Sequence, residues 1–278
     1  MPTVTLIPLL YGLGWLIMQP TVLFLPGLPL QWRGLLGTLC SALLFLVLLP
    51  GWVRARWISQ HPWRSLGITG ADVGNTLVKP LLLGLAGAGA LLLLISVITI
   101  SGHWGYWLGD LNAEKQLNAI LLCLVVGLLE ELLFRGWLWG ELKLLIGARL
   151  ALPIQALIFS LVHTRFNIGI WPMLGLLSGL FLLGLVLAIR RRLDHGSLWG
   201  CVGLHGGLVG GWFALQSGLI QFSPQSPLWL TGPADNPLGG VVGILAMASL
   251  LVYQLTALAK AARPITGARR ASSKGATP

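Results

Sequence analysis

The chain has 278 residues, 55% of them hydrophobic and only 9% charged, and a mean hydropathy of +0.83. Soluble domains carry about 25% charged residues, so this composition excludes a water-soluble globular fold. The net charge of +10 does not point to nucleic acid, because the basic residues fall in alternate connections between apolar runs, as the positive-inside rule requires of a multi-pass membrane protein.

Apolar runs at 6–25, 34–53, 80–100, 116–138, 150–164, 172–189, 198–216 and 239–259 mostly approach the roughly 20 residues that a helix needs to cross the hydrocarbon. They predict an all-α, polytopic membrane helical bundle of about eight transmembrane helices. The first run lacks a basic start and a small-residue cleavage pattern, so it reads as a retained span. Arg54, Arg56, Arg64 and Lys79 fill the second connection, Lys143 and Arg149 the fourth, Arg190, Arg191 and Arg192 the sixth, and Lys260 with residues 263–278 the tail. The other connections are nearly bare, which places both termini in the cytoplasm. Residues 63–76 suggest an interfacial helix after a cap signal at Asp72, and Trp52, Trp57 and Trp63 suggest headgroup anchors. Glycines at 84–90 and 203–212 allow close helix approach. Cys40, Cys123 and Cys201 have no paired spacing and read as packing residues. The connections are too short for a soluble domain. The organisation expected is therefore N-terminal helices and a cytoplasmic loop over 1–110, a catalytic membrane core over 111–262 and a disordered basic tail over 263–278.

Polar residues inside the apolar runs are the informative ones, since a charge in the hydrocarbon costs roughly 3 kcal/mol even on lenient scales and marks function. Glu130, Glu131 and Arg135 lie together in CLVVGLLEELLFRGWLWG. Glu131 and Arg135 are i and i+4, a favourable order for a charge pair, whereas Glu130 is rotated by ~100° and can face another neighbour. The next run, ALIFSLVHTRFN, carries Phe159, His163 and Asn167, and LWGCVGLHGGLVGGW carries His205. One free carboxylate and two histidines on three spans suit hydrolysis with water as the nucleophile. The same three groups, Glu130, His163 and His205, also offer a zinc ligand set with water in the fourth position, although HExxH is missing.

EELLFR and FSLVH match the EExxxR and FxxxH signatures, so the chain resembles the CPBP intramembrane protease family (ABI family), which contains the type II CAAX prenyl endopeptidases. The resemblance covers about residues 115–215. It implies that Glu130 and His163 activate a water without a bound metal, that Glu131, Arg135 and Phe159 support them, and that His205 helps form an oxyanion hole. The family's third motif commonly continues HxxxN, and here that position is Val209, which has no donor; Asn167 matches a polar position seen in bacterial members. The expected partners are membrane lipid and a peptide or membrane-protein substrate, prenylated proteins being the family's best-known ones, with no nucleic acid. A catalytically inactive scaffold or immunity-type protein of the same fold and a proton-coupled transporter are the alternatives. Counting about 1.5 Å per residue puts Glu130 and His205 in the cytoplasmic half and His163 farther from that side, with a cavity opening to the cytoplasm.

Overall fold

A computed structural model describes residues 2–25, 27 and 29–262; the expected tail at 263–278 lies outside the described residues. The fold is a bundle of apolar helices, with one short ribbon at one end. α1 (Pro2–Phe24) and α2 (Leu30–Trp57) form an antiparallel pair. The short α3 (Pro62–Leu66) leads to a helical turn at Gly74–Val78 that runs straight into α4 (Lys79–Ser101). Asp72 does act as a cap, since its Oδ1 accepts the Asn75 backbone N–H at 3.2 Å. The helix it starts is the α4 span itself rather than a separate interfacial one.

α5 (Ala113–Leu121) and α6 (Gly127–Glu131) are joined and followed by two π-helical stretches, Leu122–Val126 and Leu132–Leu138, which lead into α7 (Trp139–Leu161). The whole run Ala113–Leu161 holds 49 residues. It reverses at Gly147, whose φ of 80° and ψ of 162° are cheap only for a residue without Cβ. α8 (Ile170–Leu193), α9 (Trp199–Ala214), α10 (Leu228–Thr231) and α11 (Val241–Ala261) complete the bundle. Outside it, β1 (Gly105–Trp107) pairs antiparallel with β2 (Ile220–Phe222).

Among the described residues, 5 helices are long and apolar enough to cross a membrane, at Trp32–Trp57, Gly74–Ser101, Ala113–Leu161, Ile170–Leu193 and Val241–Ala261. The expected count of eight is not reproduced, for physical reasons. Two of the expected spans form one run folded back at Gly147, α9 has only 16 residues, and α1, over the expected 6–25 run, is not among the five. A short helix suffices for α9 because it faces protein: almost every residue from Gly200 to Gly210 is buried.

Glycine lets α9 reach that central place. A Cβ on Gly203 would stand 2.3 Å from the Leu81 carbonyl oxygen on α4, and one on Gly206 would stand 2.0 Å from the Cys123 carbonyl oxygen on the other flank. Backbone-to-backbone packing of this kind is how small residues glue membrane helices. The glycines beside His205 are therefore filled by neighbouring helices, not left open for a substrate backbone.

Two further sequence readings change. Arg191 is buried rather than a loop charge: it donates to the carbonyls of Gly196, Ser65, Leu66 and Arg135, tying the end of α8 to α3 and to the acidic helical run. Trp52 and Trp57 are not simply headgroup anchors. Both indole N–H groups donate to Glu141 on α7, at 2.9 and 2.8 Å.

Candidate active site

The acidic pair sits on the single α-helical turn between the two π-helical stretches. Such bulges turn successive side chains out of the regular 100° progression and recur at functional sites. The two carboxylates diverge. Glu131 is fully buried, and its Oε1 accepts both Arg135 Nη1–H and His205 Nδ1–H at 2.8 Å. Glu130 points the other way, with its side chain 30% exposed and Oε2 lying 3.8 Å from Nε2 of His163 and 3.8 Å from Nε2 of His205. Among the described residues, no group within hydrogen-bond distance satisfies that oxygen.

Each histidine is oriented from behind. α7 ends at Leu161, and the chain tightens into a turn in which His163 N–H bonds Ser160 O. This frees the Phe159 carbonyl, which lies 2.7 Å from His163 Nδ1. A carbonyl only accepts, so Nδ1 carries a proton and Nε2 is the ring nitrogen that faces Glu130. On α9, Glu131 binds Nδ1 of His205 and turns Nε2 toward the same point.

Phe159 organises both rings. It is completely buried, packs at 4.9 Å against His163 and 5.6 Å edge-on against His205, and carries the Arg135 guanidinium 4.0 Å over its face. Cation–π contact of this sort substitutes for water around a buried guanidinium, which matters because Arg135 Nε and Nη2 have no hydrogen-bond partner among the described residues. The FxxxH spacing thus places one aromatic ring between the cation and two imidazoles.

Glu130, His163 and His205 line the polar end of a cavity of about 300 Å³. Val209 lines it one turn beyond His205 and offers no donor. Asn167 is not brought in: the helix stops before His163, so the i+4 relation is lost and Asn167 is exposed in the connection to α8. The lining also includes Arg165 and residues 234–238, on connections that the charge pattern puts on the basic-poor side. The cavity therefore runs toward that side rather than toward the basic one. The depth count set His163 apart from Glu130 and His205, whereas the fold-back of α7 at Gly147 brings its Nε2 to 3.8 Å from Glu130 Oε2.

Residues 112–210 match the family model described as type II CAAX prenyl endopeptidase Rce1-like. That segment is Rce1-like. The resemblance drawn from EELLFR and FSLVH is borne out, and Glu130, Glu131, Arg135, Phe159, His163 and His205 all fall inside the Rce1-like segment. Residues 1–61 match a separate model, a domain of unknown function (DUF8676). No curated protein and no solved structure matches the chain.

The seam between these two segments holds a residue that sequence reasoning passed over. Glu141 of the Rce1-like segment is fully buried and accepts from Thr3 Oγ1 at 2.7 Å, Trp52 Nε1 at 2.9 Å, Trp57 Nε1 at 2.8 Å and Arg56 Nε at 2.9 Å. Every donor comes from residues 1–61. The available signal was a glutamate in an otherwise apolar stretch, but its donors lie 84 or more positions away. Among the described residues, no group of three or more His, Cys, Asp or Glu side chains is arranged to hold a metal ion.

Proposed function

We propose that the protein is an intramembrane endopeptidase that hydrolyses a peptide bond with a water activated by Glu130. One observation carries the reading: among the described residues Glu130 Oε2 has no hydrogen-bond partner, yet it faces Nε2 of both His163 and His205 at 3.8 Å. Those gaps are too long for direct hydrogen bonds and fit one bridging water. Glu130 takes a proton from that water while His163 Nε2 accepts its second hydrogen. The resulting hydroxide adds to the scissile carbonyl, and the tetrahedral intermediate collapses to a carboxylic acid as the leaving amine takes the proton from Glu130. The acid then gives up its proton to the amine or to solvent, so the products are a carboxylate and an ammonium or amine.

In this reading His205 stabilises the developing oxyanion. Donating from Nε2 while Nδ1 stays bonded to Glu131 requires the doubly protonated ring, and the Glu131 carboxylate is its counter-charge. Arg135 shares that carboxylate and Phe159 fixes the planes of both rings. The reading needs no metal, so activity of the purified enzyme withstands chelation; loss on chelator treatment with recovery on zinc would instead put zinc at Glu130, His163 and His205. The substrate follows from the family resemblance as a peptide or membrane protein, with prenylated proteins to be assayed first. Both termini are assigned to the cytoplasm from the charge pattern.

The deciding experiment is cleavage by full-length protein in detergent or liposomes, compared with Glu130→Gln and His163→Ala. Both variants keep wild-type abundance and lose cleavage. Cleavage that persists in Glu130→Gln would sink the mechanism.

A further inference from the structure

At the basic end of the bundle, far along α7 from Glu130, three cations converge on one indole. Trp139 opens α7 and is 2% exposed. Lys143 Nζ lies 3.8 Å from its ring centroid, and the guanidinium carbons of Arg191 and Arg192 each lie 5.6 Å from it. Lys143 follows Trp139 by one helical turn and shares its face, and α8 brings the Arg190–Arg192 run to the same corner in its last turn. Arg191 is 7% exposed and donates to the carbonyls of Ser65, Leu66, Arg135 and Gly196. Lys143 and Arg192 are exposed and have no hydrogen-bond partner or ion pair among the described residues.

The corner lacks a counter-charge. The chain has 8 acidic residues, all of them described, and none forms an ion pair with Lys143, Arg191 or Arg192. The two acids close in sequence are engaged elsewhere. Glu141, two positions before Lys143 and so rotated ~200° about the helix, is buried against Thr3, Trp52, Arg56 and Trp57. Asp194 is held by Arg190 through bonds of 2.6 and 2.8 Å. Three like charges around one ring repel one another, and contact with the indole face offsets only part of that repulsion. An anion seated between Lys143 and Arg192 relieves the rest.

We infer that this corner binds the phosphate of an anionic phospholipid, with Lys143 and Arg192 as the contact groups, backed by Trp139 and Arg191. A guanidinium and an ammonium side by side suit phosphate oxygens from any source, and the surroundings choose lipid. α7 folds back at Gly147, one turn after Lys143, and that fold-back exposes Leu144, Leu145, Ile146 and Leu150. Acyl chains lie against these side chains while the headgroup meets the cations. The charge pattern puts the corner on the cytoplasmic side, where anionic lipids attract basic segments. The site is independent of the peptidase reading, and its test reads binding rather than cleavage.

Full-length protein in neutral detergent is mixed with phosphatidylglycerol, with phosphatidylcholine of the same acyl chains, or with inorganic phosphate. Native mass spectrometry counts bound lipid, and thermal melts run alongside. Wild-type protein binds phosphatidylglycerol about tenfold more tightly than phosphatidylcholine and melts higher with it, whereas inorganic phosphate gives no shift. Lys143→Gln with Arg192→Gln changes two exposed side chains, so the fold persists, and it weakens phosphatidylglycerol binding about tenfold, the scale of lost charge-assisted contacts. Lys143→Arg with Arg192→Lys keeps both charges and keeps the binding. Arg64→Gln with Lys260→Gln removes the same net charge from exposed positions elsewhere and leaves binding unchanged. Three results overturn the site: no preference for phosphatidylglycerol in the wild type, unchanged binding in Lys143→Gln with Arg192→Gln, or equal weakening in Arg64→Gln with Lys260→Gln. Stabilisation by inorganic phosphate equal to that by phosphatidylglycerol overturns its assignment to lipid.

Discussion

Glu130 and Glu141 lie on one continuous helical run, about three turns apart, and the protein treats them in opposite ways. Glu141 receives hydrogen bonds from Thr3, Trp52, Arg56 and Trp57 and is closed off from everything else. Glu130 receives none at Oε2 and faces two imidazole nitrogens across gaps the size of a water molecule. A buried carboxylate with its lone pairs filled is inert and serves as a clamp. One held short of partners in a cavity is poised to take a proton. Burial alone therefore does not mark a functional acid in a membrane, and neither does an unpartnered oxygen by itself, since Glu131 Oε2 also lacks a partner among the described residues. What sets Glu130 apart is that its free oxygen faces two imidazoles in a cavity.

Mutations test whether this division holds. The largest effect is expected for Glu130→Gln, which lowers the cleavage rate by about 10³-fold or more, the scale of a lost general base, while the melting temperature in detergent stays within about 2 °C of wild type. Glu141→Ala should give the mirror image. It strands the indole and hydroxyl donors at the seam and destabilises the fold by about 3 kcal/mol, yet the rate per folded molecule stays within about threefold. A large rate loss in Glu141→Ala at full stability would erase the distinction between the two acids.

Phe159→Leu falls between the two classes. The change keeps the core apolar and costs about 1 kcal/mol, but it releases His163, His205 and Arg135 from a shared ring, so kcat drops by about tenfold with KM little changed. Steady-state kinetics together with thermal melts separate these contributions.

The smallest effect belongs to Asp72, outside both clusters. The Asn75 side-chain amide, helped by the Asn75 backbone N–H, holds its carboxyl below the usual carboxylate range. A depressed pKa contributes stability above the unfolded value, and that contribution is lost as pH falls through the folded value. Asp72→Ala therefore lowers the melting temperature slightly at neutral pH, and the gap to wild type closes in acid. A gap that widens in acid would show that Asp72 does not cap α4.

Some of the molecule was legible without coordinates. Hydropathy alone identified a multi-pass helical membrane protein, because only helices and closed barrels satisfy the backbone in lipid. Glu131 and Arg135 could be paired from their i, i+4 spacing, and EELLFR with FSLVH pointed to the Rce1-like character of residues 112–210. The count of eight spans is not confirmed, because hydropathy does not register that Gly147 folds two runs into one unit, or that α9 can be short when neighbouring helices surround it. Asn167 read as a site residue only while α7 was assumed to continue past His163.

What the sequence determined by itself is the local chemistry: which residues are expensive in a membrane, which lie on one helix face and which short patterns they form. Tertiary structure alone decided which buried groups are satisfied. That Glu131 serves Arg135 and His205 together, that Glu141 is saturated by residues 1–61 and that Arg165 joins the cavity of Glu130 all depend on partners from distant parts of the chain. The physical reason is that hydrogen bonds and ion pairs act over a few ångströms, and packing alone sets which distant residues come that close.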